Sequence, residues 1–258
     1  MPFKKLLFSI QENKFDIVDI GDYKIGFFCG KKNNAERNDD VLLIQEDGDR
    51  ILLSIADGAG GHPKGDEAAK LAIEEVQKCF SKAPHNYLDA IENANDKVNE
   101  LRAQAHSTLI LGNIVADKVR FYTVGDSEIL YWNASGNLLY SNIPQSVVGH
   151  AIESGHITQT ESLDHDNRHI VNNMLGDHAI RIETTSRFEI KKGHTILLGS
   201  DGLFDNVNHD TLTDFLSGGN FQESFQALVD HIGTRNTDQW IKDDDISFIV
   251  LRRMRNEK

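Results

Sequence analysis

The chain has 258 residues, which is enough to bury a sizeable core as one large or two small domains. Its 39% hydrophobic and 26% charged residues are ordinary for a globular protein, and 40 Asp and Glu against 27 Lys and Arg give a formal charge of −13. This acidic balance argues against nucleic acid as the partner, because binding to a phosphate backbone needs clustered basic side chains.

The N-terminal segment MPFKKLLFSI has a short apolar run that ends too soon for the apolar core of a secretion signal. No segment of the sequence approaches the ~18 apolar residues of a membrane span. Cys29 and Cys79 lie in apolar surroundings, which is typical of reduced, buried thiols rather than of a disulfide framework. Together these features predict a cytoplasmic protein that does not contact a membrane.

The first predicted elements are strands within 15–30 and 41–56, where β-branched and aromatic residues cluster in short apolar runs. Apolar residues then repeat at helical spacing over 68–79 and over 87–101, which predicts two amphipathic helices, each with one face toward a sheet. From 107 to 141 the pattern changes to short apolar runs separated by turns, which is typical of a meander of antiparallel strands.

The segment 142–180 is polar and rich in histidine, and we interpret it as a flap-like excursion rather than a separate domain. After it the sequence predicts two strands, two helices and a last strand, at 181–190, 193–200, 209–217, 221–233 and 245–253. Antiparallel strands and helices in separate blocks favour an α+β layer architecture. Because no linker or internal repeat stands out, we predict a single domain over residues 1–258.

Acidic residues recur where the predicted strands meet turns. They are Asp39, Asp40, Asp57, Asp126, Asp201, Asp205, Asp243, Asp244 and Asp245. The texts LLSIADGAG and ILLGSDGLF are near copies, and in both an apolar strand leads to Asp and then to a glycine that allows close backbone approach. A cluster of carboxylates suits Mg²⁺ or Mn²⁺ better than Zn²⁺. The competing interpretation of each single Asp is a turn or helix-capping residue, and the number of these acids favours a metal centre.

These motifs, in this order, resemble the metal-dependent Ser/Thr protein phosphatases of type 2C, the PPM family. The matching stretches are RNDD, ADGAGGH, STLILGNIVADKVRFYTVGDSEILYW, LLGSDGLFDNV and DDDISFIVL, and they extend from Asn38 to Val250. The resemblance implies an α+β fold of four layers, α-β-β-α, in which helices flank two antiparallel sheets.

The resemblance also implies a centre of two Mn²⁺ or Mg²⁺ ions, with Asp57 between them. The implied ligands are Asp39, Asp40, Asp57, the carbonyl of Gly58, Asp201 and Asp244, and Asp126 and Asp205 match the positions of a third, weaker metal site. The implied reaction is hydrolysis of phosphoserine or phosphothreonine in proteins by a metal-activated hydroxide. The implied partners are phosphoprotein substrates and a Ser/Thr kinase that the enzyme opposes.

Two functional residues of the family have no direct counterpart. Ala35 stands where many members carry a phosphate-binding arginine, and among the nearby Lys31, Lys32 and Arg37 the candidate chosen for that role is Arg37. His62 lies three residues beyond the position of a histidine suited to protonate the leaving oxygen, so it is the candidate general acid. The competing interpretation of His62 is a surface or capping residue.

Further departures mark a divergent member of the family. Glu128 replaces the usual arginine after Gly-Asp-Ser, and Asp245 replaces the usual asparagine before the last strand. With the missing arginine, these changes leave two alternatives open: a pseudophosphatase that binds metal and acts as a regulatory module, or a metal-dependent hydrolase of another phosphoester.

Overall fold

The computed structural model describes residues 2–33, 35–59, 64–83, 85–102, 104–163, 165–233 and 242–255. The strands are β1 (Lys4–Leu7), β2 (Lys14–Ile20), β3 (Tyr23–Gly30), β4 (Val41–Asp47), β5 (Arg50–Ala56), β6 (Leu109–Val115), β7 (Lys118–Val124), β8 (Glu128–Trp132), β9 (Leu138–Ser141), β10 (Glu183–Thr184), β11 (Phe188–Glu189), β12 (Thr195–Gly199) and β13 (Ile246–Arg253). The helices are α1 (Gly65–Phe80), α2 (Tyr87–Glu100), α3 (Val147–Glu153), α4 (Gln159–Ser162), α5 (Asp201–Phe204), α6 (His209–Leu216) and α7 (Phe221–Gly233).

The strands form two antiparallel sheets that pack face to face. Over the described residues, one sheet has seven strands in the order β1-β4-β5-β6-β7-β10, with β11 also on β7, and the other has six in the order β2-β3-β13-β12-β8-β9. The apolar core between the sheets takes side chains from both, among them Ile25, Ile129, Ile196, Ile249, Leu42, Ile55 and Ile110. This burial holds the two sheets together as a sandwich.

Helices cover the outer face of each sheet. The apolar stripes of α1 and α2, which include Ala72, Val76 and Ile91, pack on the seven-stranded sheet. The stripes of α6 and α7, which include Leu212 and Phe225, pack on the six-stranded sheet. The four-layer α-β-β-α order and the predicted helices at 68–79, 87–101, 209–217 and 221–233 are therefore confirmed.

The structure differs from the sequence-based expectations at three places. The N-terminal apolar run forms β1, an edge strand that pairs with β4, since its apolar side chains can then pack against both helix and core. The segment 181–190 holds only the two-residue strands β10 and β11, both on β7. The flap-like segment contains α3 and α4, which Ser146 and Thr158 cap through their side chains. In the described part of the chain, no helix has the length and apolar character needed to cross a membrane.

Candidate metal centre

Loops at one end of the sandwich bring acids from both sheets to a single cavity of about 380 Å³. Asp57 directly follows β5 of the seven-stranded sheet, and Asp126 lies in the turn between β7 and β8. Asp201 follows β12 of the six-stranded sheet, and Asp244 comes just before β13. These four carboxylates, far apart in sequence, line the same cavity.

The turn after β5 is fixed by hydrogen bonds to the start of β6. The Asp57 N–H donates to Thr108 Oγ1 at 3.1 Å, and the Asp57 carbonyl accepts from the Thr108 N–H and the Ser107 hydroxyl, both at 2.9 Å. A Cβ on Gly58 would lie 2.5 Å from the backbone of Gly65, at the start of α1. Glycine is required there because the two backbones approach so closely.

The turn after β12 is fixed in a comparable way. A Cβ on Gly202 would lie 1.9 Å from the carbonyl oxygen of Asp245, which no side chain allows. The Ser200 hydroxyl donates to Asp40 Oδ2 at 3.0 Å and accepts from the Ser247 N–H at 3.0 Å. These contacts join the end of β12, the start of β13 and the loop before β4 into one unit.

Asp245 positions the loop that carries the first acidic motif. Its buried carboxylate accepts the N–H of Lys32 at 2.8 Å and the N–H of Asp39 at 3.0 Å. The aspartate that departs from the family pattern thus orients Asp39 through the backbone. Asp40, the next residue, is only 1% exposed, and among the described residues its Oδ1 has no hydrogen-bond partner.

The buried carboxylates destabilise one another when no cation lies between them. Burial raises the pKa of Asp57 well above its usual range, and the charges of Asp40 and Asp201 raise it further. Burial also raises the pKa of Asp40 and of Asp126, with added repulsion from neighbouring acids. A positive charge placed near these carboxylates would stabilise their ionised forms.

Lys242 supplies positive charge at one side of the site, and the sequence-based prediction missed it. Its Nζ is paired with Asp201, lies 2.9 Å from Asp205 Oδ2 and lies 3.1 Å from Asp244 Oδ2. Burial alone would raise the pKa of Asp201, but the Lys242 ammonium lowers it below its usual value. For Asp205, burial and the charge of Asp201 outweigh the same ammonium and raise its pKa to about 6. The sequence feature that could have indicated this role is the position of Lys242 directly before three aspartates.

The donor set fits a hard divalent cation. Among the described residues, no three Asp, Glu, His or Cys side chains are already arranged as a metal site, and Asp201, Asp205 and Asp244 contact Lys242 instead. The predicted donors are nevertheless all oxygens, and Asp40 Oδ1 is buried with no hydrogen-bond partner in the part of the chain that the structure describes. Mn²⁺ and Mg²⁺ prefer such ligands, and a bound cation would compensate the repulsion between them.

Arg37, the predicted phosphate-binding residue, is half exposed beside the site and already paired. Its guanidinium lies 2.5 Å from Asp66 Oδ2 and 3.8 Å from Asp39 Oδ1. Lys31 points elsewhere, because its Nζ donates to the carbonyl of Ala35 at 2.5 Å. His62, the candidate general acid, lies outside the described residues, so its role stays a prediction.

Lys32 is a further cation next to the acids. Its Nζ lies 3.7 Å from Asp244 Oδ1 and 3.8 Å from Asp245 Oδ2, and its side chain is 30% exposed. Both distances exceed that of a good hydrogen bond, so Lys32 is held loosely by the general negative charge of the site.

One wall of the cavity comes from the flap-like segment, through His169, Ile170, Val171 and Met174. The segment is tied to the site by a backbone pair in which Leu175 and Ser107 exchange N–H···O bonds of 2.9 and 3.1 Å. Ser107 also donates to Asp57, so the flap contacts the same turn that positions this acid. The wall therefore lies next to the acids that the cavity exposes.

The protein phosphatase 2C family model matches residues 30–243 of the chain. Serine/threonine protein phosphatase PstP of Mycobacterium tuberculosis is 26% identical over 212 residues, which are 76% of this chain and 41% of the relative. The chain therefore spans less than half the length of that curated relative.

Solved structures share the fold at low sequence identity. Serine/threonine phosphatase Stp1 from Staphylococcus aureus matches with a TM-score of 0.75 and 21% identity, over 95% of this chain and 96% of that chain. The catalytic domain of PstP, solved in complex with two manganese ions, matches with a TM-score of 0.73 and 21% identity. The match covers 90% of this chain and 99% of that chain.

Proposed function

The chain belongs to the protein phosphatase 2C family, and from this premise we propose that it hydrolyses phosphoserine and phosphothreonine in proteins with divalent cations at the acidic site. The observation that carries the proposal is the convergence of Asp57, Asp126, Asp201 and Asp244, from both sheets, on one cavity. The manganese ions bound by the catalytic domain of PstP support Mn²⁺ as one of the cations that this site takes.

Six donors would hold the two cations. They are Asp39, Asp40, Asp57, the carbonyl of Gly58, Asp201 and Asp244, which would hold the ions directly or through water. When bound, the ions supply positive charge for the phosphoryl oxygens and lower the pKa of a water molecule. The buried Oδ1 of Asp40, which has no hydrogen-bond partner within the described ranges, supports its place in this set.

The chain's own contribution to substrate binding is a cation that faces the phosphate. Lys32 suits this role because it is loosely held and its side chain is partly exposed beside Asp244. Arg37 is the other candidate, but binding phosphate would require it to leave Asp66. An ammonium in place of the family's arginine binds phosphate as a point charge, without the bidentate fork.

The substrate class in the proposal is a phosphoprotein, and the opposing enzyme is a Ser/Thr kinase. The name of the relative PstP, a serine/threonine protein phosphatase, supports this class. The flap residues that form one wall of the cavity lie where the residues flanking a phosphorylated side chain would pass. They are the natural place for discrimination among phosphoproteins.

The proposal is tested by measuring hydrolysis of an aryl phosphate and of a phosphothreonine peptide with Mn²⁺, for the wild type, Asp57→Asn and Asp201→Asn. We expect wild-type turnover of both substrates and at least a ~100-fold loss of kcat/KM in each variant, because each removes a central charge of the site. Asp96→Asn, on an exposed position of α2, is the matched control and keeps wild-type rates.

The alternatives give different results in the same assay. A wild type that binds Mn²⁺ but is as inactive as Asp57→Asn on both substrates is a pseudophosphatase, and the proposal then fails. Turnover of the aryl ester with none of the phosphopeptide indicates a hydrolase of another phosphoester.

A further inference from the structure

Lys242 is anchored at its backbone as well as at its ammonium. The Lys242 N–H donates to Asn206 Oδ1 and the Asn206 amide donates back to the Lys242 carbonyl, both at 2.9 Å. Asn206 also donates to the carbonyl of Gly202 at 2.9 Å, so it is fixed to the turn that carries Asp201. These bonds connect the lysine to the strand-end motif from which its partners come.

The ammonium lies among the acids that the family resemblance assigns to a third metal. Asp205 contacts the ammonium and Asp126 feels its charge, and these are the two acids at that position; the ammonium also contacts Asp201 and Asp244 of the two-cation centre. The lysine side chain is only 18% exposed, which matches the 18% exposure of Asp205 and the 19% of Asp201. A positive charge therefore already lies, buried, at the place where a third cation would bind.

We propose that the Lys242 ammonium takes the place of the third divalent cation, so that this chain binds two metal ions and not three. The inference rests on the two-cation centre proposed above and concerns the neighbouring third position. The third position is occupied by a side chain, and its charge does not depend on the metal concentration.

Two physical arguments favour the tethered ammonium over a bound ion. A divalent ion held by Asp126 and Asp205 would have to share Asp205 with the ammonium, and it would meet strong repulsion from that charge in this poorly solvated site. An ion would also have to displace an ammonium tethered to a backbone that the Asn206 side chain fixes by two hydrogen bonds, and the local concentration of this ammonium exceeds that of any free cation. Lys32, by contrast, lies 3.7 Å or more from its acids and can leave them.

The test counts bound ions rather than activity. The wild type, Lys242→Met and Lys32→Met are dialysed to equilibrium against Mn²⁺ up to millimolar concentration, and bound manganese is measured by elemental analysis. We expect about two ions in the wild type and in the Lys32→Met control, and about three in Lys242→Met. Adding Asp205→Asn to Lys242→Met should return the number to that of the wild type.

A wild type that binds three ions overturns the inference, and so does a folded Lys242→Met that binds two. If Lys242→Met fails to fold, Asp205→Asn in the wild-type background decides: an unchanged number of ions supports the inference, and a lost ion overturns it. A wild type that binds no Mn²⁺ at all overturns the proposed metal centre itself, which separates the two failures.

Discussion

The two Asp-Gly turns of the site have nearly the same local sequence and opposite electrostatics. Asp57 ends a strand of one sheet and Asp201 ends a strand of the other, and the glycine after each packs against a backbone. Burial and neighbouring acids raise the pKa of Asp57, whereas the Lys242 ammonium, despite burial, lowers that of Asp201. The residue that lowers the pKa of Asp201, Lys242, lies 41 positions away in the sequence.

This difference divides the site into two halves. The half around Asp201 has a built-in cation and tight backbone contacts, so part of its negative charge is compensated without metal. The half around Asp57 faces the loop of Asp39 and Asp40, where the nearby cations are the loosely held Lys32 and Arg37, which is paired with Asp66. A divalent ion therefore has most to stabilise in the Asp57 half.

The largest expected effect comes from adding a methyl group to each glycine of the comparison. Gly202→Ala would place a Cβ 1.9 Å from a carbonyl oxygen, against 2.5 Å for Gly58→Ala. We expect losses in the free energy of unfolding of about 3 kcal/mol and about 2 kcal/mol, respectively. Chemical denaturation measures both. Gly218→Ala, where a Cβ meets nothing within 4 Å, is the control and should change stability by less than about 1 kcal/mol.

If Gly58→Ala proves as costly as Gly202→Ala or more so, the turn after β12 is not the more rigid of the two. That result would remove the backbone part of the comparison and leave only the electrostatic part.

The next effect has opposite signs in the two halves. In metal-free protein, Asp57→Asn removes a carboxyl group whose ionised form burial and neighbouring acids disfavour, so we expect unfolding to cost about 1 kcal/mol more. Asp201→Asn removes the main partner of Lys242 and should lower stability by about 2 kcal/mol. Melting curves in the presence of a chelator measure both variants. A shift of the same sign in both would contradict the division of the site into two halves.

Local sequence was enough to predict the framework of the site. Strands, the amphipathic helices and the Asp-Gly turns follow from periodicity and from residues adjacent in the chain, so 41–56 and 209–217 were found close to their true ends. The predicted acids lie at the strand ends because buried strands end where polar residues begin. The repeated sequence LLSIADGAG and ILLGSDGLF, together with the family resemblance, predicted that Asp57 and Asp201 lie at one site.

The parts that sequence missed depend on distant contacts. Lys242 lies close to its acids because β13, which follows it, pairs with β12 in the six-stranded sheet. In the sequence, the three aspartates that follow Lys242 directed attention to the acids and away from the lysine. The role of Asp245, which holds the backbone of Lys32 and Asp39, depends on loop geometry that no spacing encodes. Edge strand β1 was missed because pairing with β4, rather than its own short pattern, stabilises it.

The last expected effect is on substrate affinity and concerns Lys32, the cation of the Asp57 half. If Lys32 contacts the substrate phosphate, Lys32→Met should raise KM for a phosphothreonine peptide about tenfold, equivalent to about 1.4 kcal/mol, with a smaller change in kcat. Arg37→Met should change KM less than about twofold, because the guanidinium is already paired with Asp66. Steady-state kinetics with Mn²⁺ compares both variants with the wild type.

Lys32→Arg separates a binding role from a merely structural one. An arginine keeps the charge and adds a bidentate fork, so we expect it to restore KM to near the wild-type value. A tenfold rise in KM for Arg37→Met with none for Lys32→Met would assign the phosphate to Arg37. The lysine of the Asp57 half would then only balance the acids, as Lys242 does in the other half.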